Sequence, residues 1–439
     1  MGQAGMEIGE TIVALSSGVG RAGIAVIRIS GPDALSMLDR MISGRPKERE
    51  ARVRRLRDAT GGVLDEALVV WFAAGRSFTG EDLVELHCHG GVAIIRAVLD
   101  FLSGQAECRL AEPGEFTLKA FRNGRIDLAG AEALADLIDA ETEEQRKQSL
   151  RLLDGDLHRR IGAWRADLLR ALALVEVTID WADEEVPQDV SPEVQSIVDR
   201  LVDAFDRELV TSHAAARLRH GFEVAILGAP NAGKSSFINY LSGREAAITS
   251  PIPGTTRDVV ELRYDLGGIP VHFLDMAGLR ETADPIETEG VKRAVARARS
   301  ADIRLRFASV DAPFPESFQY LLQEGDFVVV TKADQGGIAE GHQVSTKTGV
   351  GIEGLLKQLE GRLARRVSTA GLLGHTRQQE AVALGREALV LARNQLETAP
   401  DEVIAEHLRD ASRALAKVLG EIGVEDVLGD VFAKFCLGK

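Results

Sequence analysis

The octapeptide GAPNAGKS, Gly228–Ser235, fits the pattern G-x-x-x-x-G-K-[ST] and limits what its surroundings can fold into. The pattern carries meaning only where an apolar strand precedes it and a helix follows. Here FEVAILG (222–228) comes before it and SSFINYL (235–241) comes after. The glycines let backbone N–H groups curl round phosphate oxygens, and a helix N-terminus adds positive potential. Lys234 is placed to reach the β- and γ-phosphates, and the Ser235 hydroxyl can ligate Mg²⁺.

Three further elements follow in the order that a GTPase needs. GTTRD (254–258) offers Thr256 as a second hydroxyl for Mg²⁺. DMAG (275–278) ends an apolar run, with Asp275 near the metal and the Gly278 N–H free for the γ-phosphate. TKAD (331–334) sets Asp334 to accept the N1–H and N2–H of guanine, a donor pair that adenine lacks. STK (345–347) supplies N–H groups for the guanine O6. The series is similar to the translation-factor class of GTPases, with one departure. Thr331 stands where Asn is usual, and Thr can do less to bridge the base and the phosphate loop. Somewhat weaker nucleotide binding with unchanged guanine preference is expected. Leu279 occupies the place where Ras-like proteins carry a water-orienting Gln. Arg257 and Arg280 lie in the switch segments, but neither is an evident arginine finger.

Short apolar runs alternate with helical patterns from 221 to 366, including VHFLDMAG (271–278) and DFVVVTKAD (326–334), as in a parallel α/β sheet. Before it, residues 123–220 are Ala-, Leu- and Arg-rich. LAGAEALADLIDAETEEQRKQSLRLL (128–153) reads as one long helix, and 158–181 and 191–220 as others. The helical texture returns over 367–439. Residues 1–122 are Gly-punctuated and mixed. TIVAL, GIAVIRIS, EALVVWFAA and DLVELHCH read as strands, and GPDALSMLDRMI and GVAIIRAVLDFL as helices. The expected fold is multidomain, α/β and α. A mixed α+β N-terminal domain (1–122) precedes an all-α helical bundle (123–220 and 367–439), and a P-loop, Ras-like G domain (221–366) is inserted into that bundle. The run IRLRFASVD (303–311) fits this poorly, because two arginines interrupt what should be a buried strand.

Charge bears on partners. With 52 basic and 67 acidic residues the net charge is −15, the reverse of a protein that holds nucleic acid by electrostatics alone. The most basic stretch, RPKEREARVRRLR (45–57), reads as a solvated strand or loop face. Nothing resembles a secretory signal or a membrane span. Cys88, Cys108 and Cys436 have no metal-ligand spacing, and an odd number of thiols suits a reducing cytoplasm. The terminal C-L-G-K fits a prenylation box poorly.

PNAGKSS, GREAAITSPIPGTTRDV (243–259) and DMAGLRETADPIETEGV (275–291) together closely resemble the MnmE (TrmE) family of potassium-activated tRNA-modification GTPases. The resemblance runs end to end, through TIVALSSGVGRAGIAVIRISG, FTGEDLVELHCHGG, PGEFTLKAFRNGRIDLAGAEALADLIDA and the final FCLGK. It implies GTP contacts from Asn231, Ala232, Gly233, Lys234, Ser235 and Ser236, then from the switch segment Ser250, Pro251, Ile252, Pro253, Gly254, Thr255 and Thr256. Further contacts would come from Asp275, Met276, Ala277 and Gly278, and around the base from Thr331, Lys332, Ala333, Asp334, Ser345, Thr346 and Lys347. It also implies a K⁺ ion beside the phosphates where an arginine finger would sit, held by Asn231, Ser250, Ile252 and Thr255 when two G domains meet. Glu287 matches the family's water-orienting glutamate, so the implied catalytic set is Glu287, Asn231 and Lys234.

In the family the N-terminal domain dimerises and binds a reduced folate, such as 5-formyl- or methylene-tetrahydrofolate. Arg28, Glu85 and Arg125 match its contacts, Arg125 standing where Lys is usual. Cations suit the folate glutamate tail, and a carboxylate can pair with the pterin edge. The tail is implied to fold toward that site, bringing Lys439 to a folate contact and Cys436, a thiol of open role, near one-carbon chemistry. The implied activity is GTP hydrolysis coupled to a carboxymethylaminomethyl-type modification at C5 of the wobble uridine of certain tRNAs. A homodimer would act with an FAD-dependent MnmG (GidA)-type protein, which would hold most of the tRNA. An Era-like ribosome-assembly GTPase shares the G motifs but needs no folate site. A nucleotide-gated scaffold would turn over equally in Na⁺ and K⁺.

Overall fold

The computed structural model describes residues 9–180, 191–248, 260–276, 285–336 and 340–422, with 429, 431, 432, 435 and 438. Contacts divide the chain into two units, 1–135 with 419–439, and 136–418.

The first unit contains β1 (Thr11–Leu15), β2 (Ala22–Ser30), α1 (Ala34–Met41), β3 (Arg52–Arg57), β4 (Val63–Phe72), β5 (Leu83–Gly90), α2 (Val92–Ser103), β6 (Cys108–Leu110) and α3 (Glu115–Arg122). α4 (Leu128–Ile138) then carries the chain across the division. The sheet order is β3-β4-β5-β2-β1-β6, antiparallel except for the β1–β6 pair. Strand alternation sorts the side chains. Val13, Ile27, Ile29, Val69 and Leu86 face a core closed by Met37 and Leu38 of α1 and Val98 and Leu102 of α2. Arg28 and Glu85, paired in register, fall on the opposite face.

The basic stretch supplies edge strand β3, where Arg52 pairs with Glu50 and Arg55 with Glu66, while Arg54 and Arg57 donate to backbone carbonyls. Charged edges of this kind resist pairing with other chains. Phe432 and Phe435 bury themselves with Leu118, Leu128 and Ala131, which is why the last residues group with this unit although the sequence pattern extends the bundle to 439. Gly438 (φ 87°) lies so close to β1 that a Cβ on it would meet the Leu15 carbonyl, and its own carbonyl accepts a 2.8 Å bond from Ser16 Oγ.

The single helix expected over 128–153 is two helices, α4 and α5 (Glu143–Leu153). Thr142 breaks it. Its extended backbone and the Gln145 side chain form a capping box that starts a new helix. α6 (Asp156–Asp180) and α7 (Ser191–His220) pack together, with the rings of Trp164 and Phe205 4.7 Å apart.

At Gly221 (φ 98°) the chain turns into β7 (Phe222–Gly228). It continues through α8 (Lys234–Ser242), β8 (Val260–Leu266), β9 (Ile269–Asp275), α9 (Pro285–Ser300), β10 (Ile303–Ala308), β11 (Phe327–Val330), β12 (His342–Gln343) and α10 (Ile352–Val367). The sheet runs β12-β11-β10-β7-β9-β8, parallel except for β8. α8 and α10 cover one face, and α9 with the turn Glu316–Leu321 covers the other. α11 (Thr376–Gln395) then packs along α7, and α12 (Asp401–Leu419) follows. Among the described residues no helix is long and apolar enough to cross a membrane.

The structure accounts for the two arginines in β10. Arg304 is buried at 2% exposure. Its Nε donates to Asp326 Oδ2 (2.7 Å), and Nη1 donates to the carbonyls of Ala298, Arg299 and Ala301 at the end of α9. The Arg306 guanidinium lies over the Phe314 ring, 4.8 Å from its centre.

Candidate functional site: the nucleotide cleft

β7 occupies the switch point of the sheet. The chain leaves it for β8 and β9 on one side and returns to β10 on the other, so its carboxyl end opens a crevice. The loop that follows bends through Asn231 (φ 62°) and Gly233 (φ 88°) before α8 begins at Lys234. A Cβ at Gly233 would come within 3.3 Å of the Thr331 side chain, so close packing as well as backbone conformation requires glycine there. Lys234 is almost wholly buried. Its Nζ donates to the carbonyls of Gly228 (2.8 Å) and Ala229 (2.9 Å), which holds the ammonium over the loop.

Ser235 Oγ donates to Asp275 Oδ2 at 2.8 Å, so the end of β9 and the start of α8 meet where Mg²⁺ chemistry is expected. Asp275 Oδ1 is buried and has no hydrogen-bond partner among the described residues. A hydroxyl beside a carboxylate with an unused oxygen is a hard-oxygen donor set that suits Mg²⁺.

The base-side loops close the same cleft, of about 560 Å³, which Asn231, Lys234, Ser235, Thr331, Asp334 and Lys347 line with their neighbours Ser236, Lys332 and Thr346. The Thr331 hydroxyl lies 2.8 Å from the Ala232 carbonyl, so threonine does reach the phosphate loop from this position. Lys332 (φ 61°) turns the chain, and its Nζ pairs with Asp311 at 3.2 Å. The Ala333 N–H donates to Val344, tying the two base loops together. Ser345 Oγ donates to Asp334 Oδ1 at 2.7 Å, and this bond, first among the causes, holds the exposed Asp334 carboxyl below the usual range. Asp334 is thereby kept as an ionised acceptor. Sequence reasoning assigned only backbone groups to 345–347; the orienting hydroxyl was legible as a serine but not as a partner of a residue eleven positions away.

Met276 is buried behind Asp275. Ser250, Pro251, Ile252, Pro253, Gly254, Thr255, Thr256, Ala277 and Gly278 lie outside the described residues, as do Leu279, Arg257 and Arg280. Glu287 falls in the first turn of α9, and its side chain is likewise outside them.

On the face of the N-terminal sheet opposite α1 and α2, part-buried Arg28 Nε donates to Glu85 Oε1 at 2.9 Å, and His87 Nε2 lies 3.2 Å from Glu85 Oε2. Arg125 packs its stem against the Gly80 turn, and the neighbouring Thr79 bonds Ser30 of β2 at 2.7 Å. Cys436 and Lys439 lie outside the described residues, but Gly438 between them sits on β1. Burial pushes the Cys88 thiol up to about 12 and that of Cys108 to about 11, so both are poor nucleophiles at neutral pH.

Comparison with known proteins places these features in one family. A model described as the GTP-binding protein TrmE N-terminus matches residues 11–125, and one described as the MnmE helical domain matches 128–436. The tRNA modification GTPase MnmE of Dinoroseobacter shibae is 50% identical over 431 residues, covering 98% of this chain and all of its own. Those of Roseobacter denitrificans and Methylorubrum populi are each 48% identical, over 98% of this chain and 100% and 98% of theirs. With relatives this similar from end to end, and a family model covering well over half of the sequence, the chain belongs to the MnmE (TrmE) family of tRNA modification GTPases.

Proposed function

We propose that the chain hydrolyses GTP in the cleft after β7 and couples hydrolysis to modification of the wobble uridine of certain tRNAs, at C5, together with an FAD-dependent MnmG (GidA)-type protein. The observation that carries this reading is the convergence in one cleft of Lys234, the Ser235–Asp275 pair and the Ser345-oriented Asp334. Asp334 would select guanine, Lys234 would meet the β/γ-phosphates, and Ser235 with Thr256 would hold Mg²⁺. K⁺, when bound by Asn231, Ser250, Ile252 and Thr255, would supply the positive charge that an arginine finger supplies elsewhere. Asn231 contributes an amide oxygen, chemistry suited to that ion.

Glu287, at the start of α9, would orient the attacking water. Glu287→Ala is expected to lower kcat by about tenfold or more, with nucleotide affinity within about twofold. Phosphate release alongside titration of a fluorescent GDP checks this, and unchanged turnover rejects the role.

Segment 1–122 would serve dimerisation and folate binding, 123–220 and 367–439 the helical domain, and 221–366 the G domain, in a cytoplasmic homodimer. Arg28, Glu85, Arg125 and Lys439 would hold a tetrahydrofolate carrying a one-carbon unit. The paired, part-buried cation and carboxylate suit a ligand with an anionic tail and a donor edge. An Era-like role is not favoured, since the family match includes residues 11–125. Nucleoside analysis of tRNA from cells lacking the protein tests the function. Loss of the modified wobble uridine is expected, and its persistence would refute the assignment. Turnover should be much faster in K⁺ than in Na⁺ and should rise with protein concentration; equal rates would remove the K⁺-bridged pairing of G domains.

A further inference from the structure

The C-terminal end of α9 is held by two arginines of different origin. A helix leaves its last carbonyls without intrahelical partners. Here Arg304, from the adjacent strand β10, takes those of Ala298 and Arg299, together with Ala301 just beyond. The carbonyl of Ser300 is taken by Arg217 Nη2 at 3.2 Å, and Arg217 lies in the last turn of α7. The same guanidinium pairs through Nε with Asp302 Oδ2 (3.0 Å) and through Nη1 with Glu223 Oε2 (3.3 Å).

Glu223 is the second residue of β7, the strand that runs into the phosphate loop. It also receives Arg297 of α9 at 3.0 Å. One side chain of the bundle therefore grips the base of the strand that ends at the phosphates and the far end of the helix that follows the Asp275 segment. The fork shape of guanidinium permits three simultaneous contacts in different directions.

We infer that Arg217 is a positioning residue for GTP hydrolysis, holding α9 in register with β7 from the helical bundle. The inference rests on the proposed reading that the cleft after β7 hydrolyses GTP, with α9 as part of its catalytic frame. Removing Arg217 leaves no carboxylate stranded. Glu223 keeps Arg297, and Asp302 keeps Arg366 Nη1 at 3.2 Å. The variant protein should therefore fold, while the tether between α7 and the end of α9 is lost.

The test compares full-length Arg217→Met and Arg217→Lys with the parent for kcat, KM, fluorescent-GDP affinity and melting temperature. Arg217→Met is expected to lower kcat about tenfold, with KM and affinity within about twofold. Arg217→Lys is expected to recover the melting temperature but not kcat, because an ammonium cannot span Ser300, Asp302 and Glu223 together. The inference is overturned if kcat in Arg217→Met stays within twofold of the parent, if affinity falls in step with kcat, or if lysine restores kcat in full. Glu287→Ala in the same assay separates the two readings. If it retains turnover while Arg217→Met loses it, the role of Glu287 fails and the positioning of α9 stands.

Discussion

Asp334→Asn is expected to lower GTP affinity by on the order of a hundredfold or more and to let XTP bind better than GTP. The carboxylate can accept both the N1–H and the N2–H of guanine, and the amide keeps only one acceptor. Its NH₂ group instead faces the guanine 2-amino group, donor against donor. Xanthine carries a carbonyl at that position, which the new amide can satisfy. The fold should be undisturbed, because Asp334 is exposed and the Ser345 hydroxyl can still donate to the remaining oxygen. Competition of unlabelled GTP, XTP and ATP against a fluorescent nucleotide reads the outcome. Retained preference for GTP in the variant would show that another group reads the base.

Arg304→Met should be the most destabilising single change in the second unit. The side chain is buried, and its partner Asp326 is 8% exposed. Loss of the guanidinium strands that carboxylate and frees the carbonyls at the end of α9, a change of about 3–5 kcal/mol. For a unit of this size the melting temperature should fall by on the order of 10 °C. Adding Asp326→Asn should recover only part of the loss: the stranded charge disappears, but the amide keeps one acceptor oxygen where the carboxylate's two oxygens receive the backbone N–H groups of Arg304 and Gln323. A melting temperature within 2 °C of the parent in the single variant, itself about half a kcal/mol, would show that the pair contributes little.

The phosphate loop and its flanking strand and helix were legible because they combine a spacing pattern with hydrophobic periodicity, and both are local. The same holds for β1, β2, β4 and β5, whose alternation shows in the bare sequence. Two features escaped for physical reasons, and a third was implied by the family resemblance alone. The break at Thr142 is written as T-x-x-Q, yet it lies in a stretch of strong helix formers that masks it. The arginines of β10 look like errors in a buried strand until the carbonyls of Ala298 and Arg299, Asp326 and the Phe314 ring are placed around them. The tail's place on β1 rests on contacts across more than four hundred residues, which periodicity cannot register. Within the cleft, the motif residues were readable individually, but the bonds between Ser345 and Asp334 and between Thr331 and Ala232 needed the fold.

The contact of Gly438 with Ser16 sets an order on biosynthesis. Residues 9–135 leave the ribosome long before the segment that carries Phe432, Phe435 and Gly438, with the whole of the second unit translated in between. The N-terminal unit must therefore wait with Leu118, Leu128 and Ala131 uncovered until the far end of the message has been read. Nascent chains stalled before codon 432 should recruit hydrophobe-binding chaperones to a unit that is otherwise finished.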